Sequence, residues 1–243
     1  MLLKLYNKSK LWFALGFIIA YCLLMSVGDS VSELIQIQKS VTVPVAAALS
    51  ALLLLFLHKN SLLKEYGLAK SQIGGKKMLF YLPVFAMLSA NLWFGTAFNL
   101  GALETVLYII AMLFVGLLEE LIFRGLLFGA MYEASPKAAV IVSSVTFGIG
   151  HIINLVNGSG AGLLPSILQV IYATAAGFMF VMIYIRTKSL IGCILAHGIF
   201  NSLSIFSSPL ANEPQNMIIS AIILTLITAS YGLYLAFIFK ENK

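Results

Sequence analysis

"TVLYIIAMLFVGLLEELIFRGLLFGAM", residues 105–131, decides the fold class. No charged side chain follows Thr105 until Glu119, and the only others in the stretch are Glu120 and Arg124. An apolar run of about 17–25 residues crosses a bilayer as a helix. Each charge held at mid-membrane costs about 2.5–3.5 kcal/mol on insertion scales. Such groups therefore face a bundle interior or a wet cavity, and by default they mark function.

Working outward, the rest of the chain has the same character. It has 243 residues, 60% hydrophobic and 10% charged, with a mean hydropathy of +1.00. Soluble domains carry about 25% charged residues. The expected fold is an all-α polytopic membrane bundle of about eight transmembrane helices. The spans fall at roughly 11–27, 41–57, 78–95, 105–131, 138–155, 163–185, 189–206 and 217–239. The seventh is short and is interrupted by Gly192 and Gly198. The whole chain, 1–243, reads as one membrane-embedded domain, with its charged core segment at about 105–206.

Loop charges orient the spans. Lys4, Lys8 and Lys10 precede span one, and Lys59, Lys64, Lys70, Lys76 and Lys77 follow span two. Lys137 follows span four, Arg186 and Lys188 follow span six, and Lys240 and Lys243 follow span eight. The alternate loops hold Asp29, Glu33, Glu104 and Glu213 with the single lysine Lys39. Eight spans with both termini cytoplasmic put every basic cluster on one side. The basic start lacks a following A-x-A site, so span one is expected to be retained. Cys22 and Cys193 lie inside spans, which argues against a disulfide framework. The C-terminal Glu-Asn-Lys is not a prenylation box. The 58–77 loop is expected to lie on the membrane as an amphipathic piece anchored by lysines. There is no nucleic-acid or nucleotide motif; topology accounts for the basic residues.

Helix geometry sorts the buried polar groups. Glu120 and Arg124 are four apart and share a face, so they can pair. Glu119 is rotated by about 100° and is left free for chemistry. Phe147, His151 and Asn154 share a face of span five, and His197 and Asn201 share a face of span seven. Glu119 lies 14 residues before Glu133, and His151 lies 14 residues after Lys137. Both then sit about 21 Å along their helices, at 1.5 Å per residue. Asn201 reaches about 20 Å and His197 about 14 Å from Lys188 on the same scale. Small residues at i, i+4 could allow close helix approach: Gly125 with Gly129, Ala173 with Gly177, Gly192 with Ala196. Phe147 is expected to pack, Asn154 to support the site or cap a helix end, Cys193 to fill the core, and His58 to be solvated.

These residues carry a pattern. "EELIFR" at 119–124, "FGIGH" at 147–151 and "HGIFN" at 197–201 resemble, in order and spacing, the E-E-x-x-x-R, F-x-x-x-H and H-x-x-x-N motifs of the CPBP family. That family comprises intramembrane proteases such as type II CAAX prenyl proteases and bacteriocin-processing and immunity (Abi) proteins. The resemblance implies peptide-bond hydrolysis in the membrane. Glu119 would be the catalytic glutamate, His151 would help it activate water, and His197 and Asn201 would stabilise the oxyanion. Glu120 and Arg124 would support the site. A zinc reading stays open, because Glu119, Glu120, His151 and His197 would supply three or four ligands; the family favours metal-free glutamate catalysis. The expected partners are the lipid bilayer and a membrane-associated peptide or protein, in a bacterial cell membrane. A proton-coupled transporter or a non-catalytic immunity or scaffold protein could use the same Glu, His and Arg groups.

Overall fold

The structure is a computed structural model that describes residues 2–155 and 162–238, apart from the side chains of Asn154 and Ile238. Among the described residues its named elements are all helices. The α-helices are α1 (Leu2–Lys8), α2 (Lys10–Ile35), α3 (Thr42–Lys59), α4 (Leu82–Leu88), α5 (Ala102–Glu119), α6 (Phe128–Tyr132), α7 (Pro136–Gly150), α8 (Leu163–Thr187), α9 (Ile191–Leu203) and α10 (Pro214–Leu233). Six segments are long and apolar enough to cross a membrane: α2, α3, the continuous run Ala102–Tyr132, Pro136–Ile153, α8, and Pro214–Phe237. The chain is a multi-pass membrane protein.

Local chemistry sets the ends of these helices. Ser9 caps α2, its hydroxyl accepting from the Trp12 N–H at 3.2 Å, and α2 stops at Gln36 in the left-handed region. Ser32 closes the turn into α3. Its hydroxyl donates to the Gly28 carbonyl at 2.7 Å and accepts from the Val41 N–H at 2.9 Å. Ser135 caps α7 by accepting from Ala138 N–H, with Pro136 at the first turn, where its missing donor costs nothing.

Tertiary hydrogen bonds gather helix termini at two ends, and the six long apolar segments, the shorter stretch 78–95 and α9 run between them. At one end, Tyr6 and Tyr66 share a hydroxyl hydrogen bond of 2.8 Å, Lys10 pairs with Glu65, and Leu190 N–H donates to Gly67. The Tyr231 hydroxyl bonds the Met78 carbonyl there, and Arg186 bonds that of Leu235. At the other end, Gln38 N–H donates to Glu104, and Asn99 donates to the Ile205 and Ser207 carbonyls. Every basic cluster within the described residues lies at the first end. Both described termini lie there too.

Two of the eight traverses differ from an uninterrupted span. The expected span 78–95 holds only the seven residues of α4 as α-helix. Leu79, Phe80 and Tyr81 precede it at positive φ, Pro83 starts the helix afresh, and Gly95 at φ +95° ends the following turn. The non-helical stretch beyond is tied to the protein: Ala97 N–H donates to Phe206, and Thr96 bridges Ser207. Gly95, Thr96, Phe98 and Asn99 are exposed, so this stretch lies at the surface, with part of its backbone bonded to the chain after α9. α9 has 13 residues, about 20 Å, too short for the whole bilayer. The 58–77 loop is mostly turns and bends. It inserts Tyr66, 3% exposed, against Gly125 and Gly129.

Candidate active site

The site is built where α5 passes from α-helical to π-helical geometry. Residues Glu120–Leu127 form a π-helical segment, all eight of them buried. The wider turn rotates the side chains after Glu119 relative to an ideal α-helix; such segments are rare and frequent at functional sites. Ser143 of α7 donates to the Phe123 carbonyl within it at 2.8 Å and ties the segment to α7.

The two glutamates have separate partners. Glu120 and Arg124, both fully buried, form the expected i, i+4 pair at 3.0 Å. The guanidinium carbon lies 3.9 Å from the Phe147 ring centroid and 5.7 Å from that of Phe180. Gly177 of α8 makes room for it, since a Cβ there would stand 3.0 Å from Arg124 Nη2. Glu119, 8% exposed, accepts a 2.6 Å hydrogen bond on Oε1 from the Tyr21 hydroxyl of α2.

His197 joins the two carboxylates. Its Nδ1 is 2.8 Å from Glu120 Oε1, and its Nε2 is 3.4 Å from Glu119 Oε2. The second contact lacks hydrogen-bond alignment, and Glu119 Oε2 accepts no hydrogen bond among the described residues. A Glu120 carboxylate held by Arg124 can only accept, which assigns the Nδ1 proton of His197 to that bond. The ring is also held edge-on by Phe147 at 5.5 Å and stacked by Phe180 at 6.0 Å.

α9 reaches this position through glycine. A Cβ at Gly116 would fall 2.5 Å from Gly198 N, so the α5 and α9 backbones meet one residue from His197. This contact was not among the expected small-residue pairs. Of those, Gly125 with Gly129 accommodates Tyr66 and Gly177 accommodates Arg124, whereas Gly192 has nothing within 4 Å.

A polar cavity of about 360 Å³ adjoins these groups. Glu119, His151 and Asn201 line it together with Tyr21 and Gln169. His151 opens the 3₁₀ turn after α7 and lies 5.2 Å, ring to ring, from Phe147. A smaller chamber of about 40 Å³ touches His151, His197 and Asn201 and shares lining residues with the larger one. The structure thus brings Glu119, Glu120, Arg124, Phe147, His151, His197 and Asn201 together. The Asn154 side chain lies outside the described residues. Cys193 packs in the core, with its thiol 3.6 Å from the Phe180 carbonyl.

The sequence reading did not single out Tyr21. Its one signal is a hydroxyl in the middle of the first apolar span, where a buried phenol needs a partner. For zinc, the donors fit poorly: among the described residues no three His, Cys, Asp or Glu side chains are grouped to hold a metal ion. Glu120 is engaged by Arg124 and His197, and one Glu119 oxygen by Tyr21.

Residues 101–203 match the family model described as type II CAAX prenyl endopeptidase Rce1-like. An 87-residue stretch is 37% identical to YdiL of Bacillus subtilis (strain 168), a protein named provisionally as a membrane peptidase. That stretch is 35% of this chain and 30% of YdiL, so the match spans about a third of either protein. No solved structure matches the chain. Both matches support the CPBP resemblance that the three motifs carry.

Proposed function

We propose that this chain, similar over residues 101–203 to the Rce1-like CPBP proteins, is an intramembrane endopeptidase of a bacterial cell membrane, acting on a membrane-associated peptide or protein. One observation carries the reading. Glu119 has one oxygen held by Tyr21 and the other unbonded beside His197, on the wall of a polar cavity inside an apolar bundle. Glu120 Oε2 is unbonded too, but Glu120 is fully buried, paired with Arg124 and away from the cavity, whereas the free oxygen of Glu119 belongs to a side chain that lines it, where water and substrate can reach.

In this mechanism Glu119 Oε2 takes a proton from water, aided by His151, and the resulting hydroxide attacks the peptide carbonyl carbon. The oxyanion of the tetrahedral intermediate is met by the Asn201 amide and by His197. Because Nδ1–H is committed to Glu120, Nε2 donates to the oxyanion only when both ring nitrogens carry protons. Glu119 then returns its proton to the amide nitrogen, the C–N bond breaks, and an amine and a carboxylic acid leave, the acid proton passing to the amine to give an ammonium and a carboxylate. Such donors are worth about 2.7–4 kcal/mol each. No step passes through a metal.

The test uses purified full-length protein in proteoliposomes and membrane-anchored peptides, with cleavage read by mass spectrometry. Glu119→Gln should abolish cleavage while the melting temperature stays near that of the parent. Cleavage should survive dialysis against a chelator. Wild-type cleavage by Glu119→Gln overturns the reading. Loss of proton-coupled transport without any peptide cleavage would assign a carrier, and no loss of either activity a scaffold.

A further inference from the structure

The cavity beside Glu119 leads away from the lysine-rich end. On α2 its wall is Tyr21, Cys22, Met25, Ser26 and Asp29, a stripe at helical spacing. The stripe rises about 12 Å from the depth of Glu119 toward the α2–α3 turn. At its top Asp29 pairs with Lys39 at 2.8 Å, with side chains 34% and 18% exposed. The Lys39 ammonium also lies 5.9 Å from the Tyr108 ring, and the Tyr108 hydroxyl bonds Ser204 at 2.9 Å. Asp29, Lys39, Tyr108 and Ser204 all line the cavity, and all belong to the end opposite the lysine clusters.

In the other direction the path is filled. All of Glu120–Leu127 is buried, and Tyr66 and the fully buried Leu190 pack against Gly125. No described residue lining the cavity comes from the lysine-rich end. Lysine and arginine in short loops mark the cytoplasmic side. The end with Asp29, Glu33, Glu104 and Glu213 and the single Lys39 is therefore extracytoplasmic.

We infer that the site is entered from the extracytoplasmic face, and that its substrate is a membrane-associated peptide whose scissile bond is presented from that side. This rests on the protease reading for the word substrate; the route itself rests on the cavity and the charges. A tail confined to the cytoplasm does not reach Glu119 by this route.

Cys22 is a native reporter, because it lines the cavity half-buried, whereas Cys193 is buried in the core. The full chain is treated with a charged, membrane-impermeant methanethiosulfonate in right-side-out and in inverted vesicles. Adducts are located by mass spectrometry. Cys22 should carry one adduct in right-side-out vesicles and none in inverted ones, and Cys193 none in either. The adduct should block peptide cleavage until reductant removes it. Lys76→Cys in a Cys22→Ala background should label only in inverted vesicles. Cys22 labelled from the Lys76 side alone, or from neither side, overturns the route, as does Lys76→Cys labelled from outside. Peptide cleavage is measured separately on untreated protein. Its absence beside the expected labelling would sink the protease reading and leave the route standing.

Discussion

Arg124 is the residue on which the site's electrostatics turn. Its guanidinium is permanently charged, fully buried, paired with Glu120 and laid over the Phe147 ring. Arg124→Ala leaves the buried Glu120 carboxylate beside Glu119 with only His197 to answer it. Breaking a buried pair costs about 3–5 kcal/mol, so thermal melting of the detergent-purified variant should fall by that equivalent, with cleavage lost. Glu119→Gln keeps shape and hydrogen-bonding capacity and should melt close to the parent. An earlier melt for Glu119→Gln than for Arg124→Ala would make the first glutamate the structural one. Tyr21 makes a different prediction. A hydrogen bond to a charged group is worth about 1.5–3 kcal/mol. Tyr21→Phe removes the donor to Glu119 Oε1 while keeping the ring in place. Its kcat should fall about tenfold or more, with the variant still folded by circular dichroism; unchanged kcat would show that the phenol merely packs.

At the scale of elements, the site depends on how closely α5 and α9 approach. The Glu119–His197 contact of 3.4 Å exists because Gly116 lets the two backbones meet at Gly198. A valine at 116 must push α9 away, and overpacking of this kind costs about 1–3 kcal/mol. Gly116→Val should therefore lower the melting temperature and the cleavage rate together. Gly192→Ala, on α9 with nothing within 4 Å, should leave both unchanged. Equal effects from the two would mean that the crossing does not set the site. The π segment acts at the same scale. It is tied to α7 by the Ser143–Phe123 bond, and it contains Gly125, a poor helix former, whose place is filled by Tyr66 and Leu190.

At the scale of the molecule, the family-matched segment does not hold every group around Glu119. The family match covers 101–203, yet α2 supplies the hydroxyl on Glu119 and one wall of the cavity. Expressed alone, residues 101–243 should fail to cleave peptide. Co-expression with residues 1–100 should restore cleavage and co-purification, because α2 and α3 pack on α5 and on the π segment through a shared apolar core. Cleavage by the 101–243 fragment alone would show that Tyr21 and α2 are dispensable.

Much was legible in the sequence because lipid imposes few solutions. Apolar runs and basic loops were enough for a polytopic helical bundle, and three short motifs singled out Glu119, Glu120, Arg124, His151, His197 and Asn201, side chains that the fold brings close together. An i, i+4 pair such as Glu120–Arg124 is local and follows from helix periodicity alone. The rest was not local. The broken traverse at 78–95 and the short α9 could not be told from full spans, since hydropathy records apolarity and not whether backbone is satisfied by lipid-crossing helix or by neighbouring loops. The tyrosine on Glu119 lies 98 residues away. The double engagement of His197 requires both the π-helical turn and the Gly116–Gly198 crossing. Those were decided by tertiary packing, because only the assembled bundle determines which buried donor meets which buried acceptor.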